Sequence, residues 1–141
     1  MATFNKFNQF VEDLAKKVHN LNSDTLKVML SNVAPAAINA VKADITEIAA
    51  GNGYSAGGAN ATFVSGAQAS GTYKLVLTDT VFTASGGSIA TFRYVVLYND
   101  TPASPLKPLI GYYDYGTALT ITSGNTFTVD FDGTNGVLTL A

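Results

Sequence analysis

The chain reads Phe92-Arg93-Tyr94-Val95-Val96-Leu97-Tyr98 in its second half, a run made almost entirely of β-branched and aromatic residues. Residues of these types favour a pleated, half-buried strand. Three similar runs follow and are separated by turn-forming segments rich in Asn, Asp and Gly: Leu109–Tyr113, Thr126–Phe131 and Val137–Leu140. Short strands at this spacing predict a mainly β chain that folds as an antiparallel β-sandwich or jelly-roll-like domain.

Applied to the whole chain, the same criteria predict strands at 72–78, 80–84, 90–98, 108–113, 117–122, 126–131 and 136–140. Upstream, the run Thr25–Leu30 alternates, which places Leu26, Val28 and Leu30 on one face of a further strand. Asp132–Gly136 is the clearest turn signal and predicts a hairpin between the last two strands.

The first twenty residues carry the only strong helical pattern. Apolar residues recur there at spacings of three and four, with Phe10 beside them: Phe4, Phe7, Val11, Leu14 and Val18. This pattern predicts one α-helix over 3–19, with Thr3 as its N-cap and Asn20 as a left-handed C-cap. Two interpretations stay open, because the helix either docks on its own sheet or projects onto another subunit.

The segment 51–71 is unusually rich in glycine, which predicts an open loop or arm. Residues 41–49 are ambiguous and fit either a strand or a short helical turn. The length of 141 residues is typical of one domain. We therefore expect a single domain over 1–141, with an N-terminal helix or arm at 1–20 and a β-sandwich at 25–141.

Charged residues make up 13% of the chain, against about 25% in an average soluble domain. Such a surface suits either a protein that works packed against neighbours or an ordinary, weakly charged β protein. The eight basic residues are scattered, and Arg93 is the sole arginine, so binding to nucleic acid is not expected. No apolar run approaches the roughly 20 residues that span a bilayer, and no signal peptide is recognisable. We expect a soluble protein made in the cytoplasm, with no membrane contact.

Four features of the sequence contain residues of the types found in chemical sites. His19 is the only histidine and has no evident catalytic partner, while Asp130–Gly136 has alternating oxygen ligands but lacks the glutamate that closes a calcium loop. Gly51–Gly58 has no Lys-Ser/Thr after it, as a phosphate-binding loop requires. Asp44 and Glu47 form a conceivable carboxylate pair, but no sequence feature places them in a cleft. We expect no enzymatic activity, no cofactor and no metal.

The densest aromatic patch consists of Tyr112, Tyr113 and Tyr115 around Asp114. Tyrosine side chains at this density either anchor a protein interface or stack on sugars. Since the chain contains no tryptophan, packing or protein contact is favoured over a lectin site.

Several segments resemble small structural proteins encoded in the head-gene region of tailed bacteriophages, of the capsid decoration (cement) type. These segments are Thr25–Pro35, Ala43–Tyr54, Phe92–Asp100, Gly111–Gly116 and Phe127–Leu140. The resemblance implies a β-sandwich on the outside of the expanded capsid, where it stabilises the shell by binding neighbouring copies of the phage major capsid protein. It also implies a symmetric homo-oligomer, a dimer or a trimer.

Three surfaces are expected to make these contacts: the helix face (Phe4, Phe7, Phe10 and Val11), the loop at Tyr54, and the patch at Tyr112 and Tyr113. Two other functions remain open. The chain fits a receptor-binding or carbohydrate-binding module of the virion, and it also fits a tail-tube or tail-completion protein. An enzyme would require a cleft with two converging polar groups, which the sequence does not indicate.

Overall fold

The computed structural model describes residues 2–141 as a sandwich of antiparallel sheets with one α-helix, which confirms the predicted fold class. The helix α1 spans Asn8–Ala15, and a 3₁₀ turn spans Lys42–Asp44. The strands are β1 (Phe4–Lys6), β2 (Leu26–Ser31), β3 (Ala59–Asn60), β4 (Phe63–Ala69), β5 (Thr72–Leu77), β6 (Thr80–Thr83), β7 (Phe92–Asn99), β8 (Leu109–Leu119), β9 (Thr126–Val129) and β10 (Leu138–Leu140).

The largest sheet has five strands in the order β1-β8-β7-β2-β3. Its central strands are buried on both faces, which explains their nearly continuous apolar sequences. As predicted, Leu26, Val28 and Leu30 share one face, and they enter the main core between the sheets. Met29 points to the opposite face, where it forms a second buried cluster with residues that include Phe7.

Two smaller sheets close the other side of the main core, with strand orders β10-β5-β4 and β6-β9. The predicted hairpin between the last two strands is wrong. Phe127 of β9 pairs with Phe82 of β6, whereas Leu138 of β10 pairs with Leu75 of β5. The turn Asp132–Gly136 therefore carries the chain from one sheet to another.

The predicted helix over 3–19 is too long. Phe4–Lys6 form a strand instead, which pairs with β8 in the register Phe4↔Tyr113. The predicted caps are also wrong, since the helix begins at Asn8 and the left-handed residue that follows it is Lys17, at φ 66°. Phe4–Lys6 form hydrogen bonds with the edge of β8, and the spacing of apolar residues along the chain cannot predict this pairing. Within residues 2–141, no helix is both long and apolar enough to cross a membrane.

The shorter helix presents a different face to the core. Phe10 is 1% exposed and Asp13 is 4% exposed, whereas Val11 is 51% exposed. The buried stripe therefore runs through Phe10, Asp13 and the half-buried Leu14, at the spacing of three and four expected for one helix face. The helix packs on its own sandwich, and Val11 lies off the packed stripe.

The glycine-rich segment is more ordered than predicted. It contains the strand β4, which pairs along its length with β5. At Gly66 a Cβ would lie 2.2 Å from the hydroxyl of Tyr73. Glycine is therefore needed there, because the Tyr73 side chain of β5 lies directly against the backbone of β4. The predicted strands 108–113 and 117–122 are likewise one continuous strand, β8.

Gly58 tests the close approach of β3 to β2. Its φ is +77°, and an added Cβ would lie 1.8 Å from the carbonyl oxygen of Val28. We expect Gly58→Ala to lower the free energy of unfolding by about 3 kcal/mol, since the backbones would have to separate. Gly71→Ala is the matched control, with φ +82° and open space around it, and it should cost only about 1 kcal/mol. Urea unfolding measures both values, and equal losses would contradict a packing role for Gly58.

Candidate functional surface

The long connection between β2 and β3 is held on the sheet by several hydrogen bonds, such as that from Ile48 N–H to the Leu30 carbonyl, and the carboxylate of Glu47 accepts three hydrogen bonds from other parts of the connection. Its Oε1 accepts hydrogen bonds from the Tyr54 hydroxyl, at 2.7 Å, and from the backbone N–H of Gly57. Its Oε2 accepts from Lys42 Nζ at 2.7 Å. The Tyr54 oxygen in turn accepts from the backbone N–H of Leu30 on β2, at 3.0 Å. One side chain thus joins three parts of the connection to the central sheet.

The surroundings of Glu47 keep it ionised. Burial by itself would raise its pKa, but the hydrogen bonds from Lys42, Tyr54 and Gly57 outweigh this effect, so the pKa lies below its ordinary value. Burial and the neighbouring carboxylate act on Tyr54 in the other direction and raise the pKa of its hydroxyl. Tyr54 therefore remains a hydrogen-bond donor to Glu47 at neutral pH.

Three of the residues predicted for partner contact lie in the interior. Phe7, Phe10 and Tyr54 are at most 2% exposed. Their rings fill the two core clusters, so the folded chain has no outer surface made of them. The apolar pattern on which the prediction rested reflects packing within the chain. Val11 alone on the predicted helix face is exposed, and its contact with a partner stays a prediction.

The structure brings two of the predicted surfaces together. Because β1 lies beside β8, the ring of Phe4 packs on Tyr113 with centroids 5.4 Å apart. The ring of Phe7 packs on Tyr112 at 5.3 Å. Burial, aided by Asp132, raises the pKa of Tyr113 to about 12. Tyr112 and Tyr113 are half-buried, so each offers only part of its ring to solvent.

An open groove of about 360 Å³ lies beside this aromatic contact, and we call it the β8–β9 groove. It is mainly apolar, with Tyr115 half exposed at its rim. The Tyr115 ring meets the edge of Phe127 at 5.8 Å, and Phe127 in turn packs on the buried Phe92 at 4.9 Å. The residues that line the groove are Ala2, Val95, Tyr113, Tyr115, Phe127, Thr128, Val129 and Asp130.

Free strand edges border the groove on both sides. On β8, β1 pairs only with Gly111–Tyr113, and within residues 2–141 no strand occupies the same edge from Asp114 onward. On the other side, β9 pairs with β6 alone in the described chain. Unpaired backbone N–H and C=O groups at such edges accept an added strand.

The outer half of β8 is held in a widened, bulged form. Between two aligned pairs, β8 advances five residues, from Asp114 to Leu119, while β7 advances two, from Phe92 to Tyr94. A bidentate ion pair lies at the base of this bulge. The Arg93 guanidinium donates to both carboxylate oxygens of Asp114, at 2.7 and 2.9 Å. These hydrogen bonds hold the pKa of Asp114 below its usual value. Tyr115 lies within this bulge, and its half-exposed ring lines the groove.

The sequence indicated one half of this groove and missed the other. The tyrosine patch pointed to Tyr113 and Tyr115, but nothing local linked them to Phe127, which lies on a strand of another sheet. The alternation that places Phe127 and Val129 on one face of β9 was the available signal. Exposed apolar residues also lie elsewhere on the described chain: Val11, Val33, Ile38, Val64, Val81 and Leu106.

The carboxylates of Asp44, Glu47 and Asp132 each accept hydrogen bonds from other groups of the chain. Asp44 Oδ2 accepts from the backbone N–H groups of Ala40 and Val41, which closes the 3₁₀ turn, and Glu47 is engaged as described. Asp132 accepts from two backbone N–H groups of its own turn. Among residues 2–141, no group of three or more His, Cys, Asp or Glu side chains is arranged to hold a metal ion.

Comparisons of the chain with protein-family models, with curated proteins and with solved structures found no match.

Glu47→Gln tests the attachment of the connection. In either orientation the amide nitrogen would face a donor, the Lys42 ammonium or the Gly57 N–H, so we expect a loss of about 2–3 kcal/mol in the free energy of unfolding at pH 7. Because the pKa of Glu47 is depressed by folding, its contribution is present above the ordinary value of 4.5 and declines as the pH falls below it. The difference in the free energy of unfolding between the wild type and Glu47→Gln should therefore become smaller as the pH falls below 4.5.

The control for this variant is Glu12→Gln, which removes the exposed ion pair between Glu12 and Lys16 on α1. Exposed pairs contribute little, so unfolding by urea should be unchanged. Equal effects of the two substitutions would contradict the special role of Glu47.

Proposed function

We propose that this protein is a structural component of a tailed-phage virion that binds the outside of the capsid lattice and stabilises the shell. The observation that supports it best is the β8–β9 groove, an apolar channel with free backbone edges on both sides. Such a channel fits an extended segment of another protein, which would gain main-chain hydrogen bonds and place alternate side chains against the aromatic floor. The segments that resemble decoration proteins point to the major capsid protein as the source of that segment.

The low charge of the surface favours the same role. A protein packed on a lattice must remove water from its contact surface, and desolvation of charged groups is costly. With only 13% charged residues, the chain can lie against neighbours with few such groups to desolvate. Asp130 is the one charged residue among the described residues that line the groove, and the nearby Arg93 and Asp114 neutralise each other.

Repetition would make weak single contacts sufficient. Each copy meets an identical site at every equivalent position of an icosahedral shell, and linked copies bind with much higher avidity than single ones. We propose that the protein acts as a symmetric dimer or trimer, since closed symmetric oligomers match the symmetry axes of such a lattice.

The direct test mixes purified protein with expanded capsid shells of the phage that encodes it, pellets the shells and counts bound copies. Saturable binding at a ratio that matches the lattice symmetry, together with rupture of the decorated shells at higher temperature, would support the proposal. Absence from shells together with presence in purified tails would overturn it in favour of a tail protein.

Tyr115→Ser tests whether the groove makes the contact. The exposed ring lies at the groove rim and not in the core, so the variant should melt near the wild-type temperature but bind shells about tenfold more weakly. Val64→Ser is the matched control, because Val64 is exposed to a similar degree on β4, away from the groove. Unchanged binding by the Tyr115 variant, or equal loss in both variants, would remove the groove from the interface.

A carbohydrate-binding virion module is the second candidate, and the combination of the exposed Tyr115 ring with the Asp130 carboxylate favours it. Aromatic faces stack on sugar rings and carboxylates accept sugar hydroxyls. If this function is correct, cell-surface glycans of the host should raise the melting temperature of the protein, and Tyr115→Ser should abolish the shift.

A further inference from the structure

His19 is held inside a polar cluster behind the helix α1. The imidazole is 5% exposed and lies on the Phe10 ring, with centroids 5.1 Å apart. Its Nδ1 lies 3.1 Å from the side-chain nitrogen of Asn99, at the end of β7. The cluster thus joins the segment after the helix to the end of a central strand of the five-stranded sheet.

Neighbouring hydrogen bonds determine how Asn99 is oriented. Its Oδ1 accepts from the backbone N–H of Thr101 at 3.1 Å, and its Nδ2 donates to Asp24 Oδ2 at 2.6 Å. With the amide held in this way, its nitrogen faces His19. Since an amide nitrogen only donates, His19 Nδ1 must accept, and the imidazole must be neutral with its proton on Nε2.

Asp24 ties the same cluster to the loop backbone. Its Oδ2 also accepts from the backbone N–H of Asn20, at 2.8 Å. The neutral imidazole, the Asn99 amide and the Asp24 carboxylate therefore form one chain of hydrogen bonds from His19 to the loop and to β7. Each member depends on the orientation of the next.

The charged groups around His19 come from each element packed against it. Asp13 lies on α1, and within the described residues neither its buried Oδ2 nor the buried Nε2 of His19 has a hydrogen-bond partner. Asp24 lies on the loop before β2, and a cavity of about 470 Å³ that His19 lines also includes Lys17 and Tyr73. Burial lowers the pKa of His19, and this effect exceeds the opposing attraction of Asp13 and Asp24.

We propose that His19 is a pH switch: the neutral imidazole connects the segment 16–25 to β7 through Asn99 and Asp24, and protonation breaks this connection and loosens the segment. A proton on Nδ1 would oppose the Asn99 amide, donor to donor. Asn99 would then have to rotate, which breaks its bond to Asp24, to Thr101 or to both. The loop between α1 and β2 thereby loses its link through Asn99. It keeps the hydrogen bonds of Asn22 with Tyr73 and of Thr25 with Thr101, so the loop loosens locally while the sandwich stays closed.

The pH range follows from the direction of the shift. Folding lowers the pKa of His19 below its ordinary value of 6.5. Between the pKa of the folded chain and that of the unfolded chain, the unfolded chain therefore binds more protons. The stabilisation is complete above pH 6.5 and is lost as the pH falls below it. The ratio of folded to unfolded protein should fall by up to about tenfold per pH unit in this window.

The sole histidine makes the pH switch directly observable. Proton NMR of the folded protein follows the Cε1–H signal of His19 during acidification, and ¹⁵N spectra follow the side-chain amide of Asn99. We expect both to change with one midpoint below 6.5, with faster amide exchange over 16–25 in the protonated form. A midpoint at or above 6.5, or an Asn99 amide that does not respond, would overturn the proposal.

His19→Asn provides the second test. Asparagine keeps an acceptor near the position of Nδ1 and does not titrate between pH 5 and 7, so its urea midpoint should be independent of pH where that of the wild type falls. Lys17→Gln alters a charge at the same cavity and should retain the wild-type slope. A slope that persists in His19→Asn would contradict the pH switch. If this variant does not fold, the NMR titration of the wild type decides the question, and neither readout depends on capsid binding.

Discussion

The hydrogen bonds that the Glu47 carboxylate accepts are the interactions on which much of the molecule depends. The connection between β2 and β3 is long and carries little regular structure, yet it covers part of a sheet whose central strands need burial on both faces. Glu47 draws Lys42, Tyr54 and Gly57 together, and Tyr54 passes the attachment on to the backbone of β2. The carbonyl of Gly57 then accepts from the Tyr98 hydroxyl on β7, which satisfies a buried polar group on the covered face.

The opposite end of the sandwich is left open, and this contrast has consequences for function. There β1 stops after three residues and β9 has one partner, so the described chain leaves two backbone edges and an aromatic floor accessible. Natural sheets usually protect such edges with charges, bulges or cover. The bulge at Tyr115 and the Arg93–Asp114 pair give partial protection while leaving the groove itself free. An edge that is shielded but accessible suits a surface for a specific partner.

Prediction from sequence was most accurate where burial and local pattern coincide. Strands β2, β5, β6 and β7 were found because their alternating or continuous apolar residues directly reflect the sheet faces they occupy. Prediction was wrong for Phe4–Lys6, because these residues pair with the edge of β8 although their apolar spacing is that of a helix. It was also wrong for β4, because glycine there serves the close passage of Tyr73 and not flexibility. Half of the candidate groove was indicated, by Tyr113 and Tyr115, and its other wall was not.

The sequence by itself determined the β class, the identity of most strands and the low charge of the surface, since these depend on residue types and spacings along the chain. Only the tertiary structure decided which strands pair, which aromatic rings are buried and which border a groove. Phe7, Phe10 and Tyr54 resemble Tyr115 as residue types, yet the first three fill the core and the last lies half exposed. The physical reason is that burial depends on contacts between strands that are far apart in the chain. A local sequence pattern does not indicate which distant strand a residue will pack against.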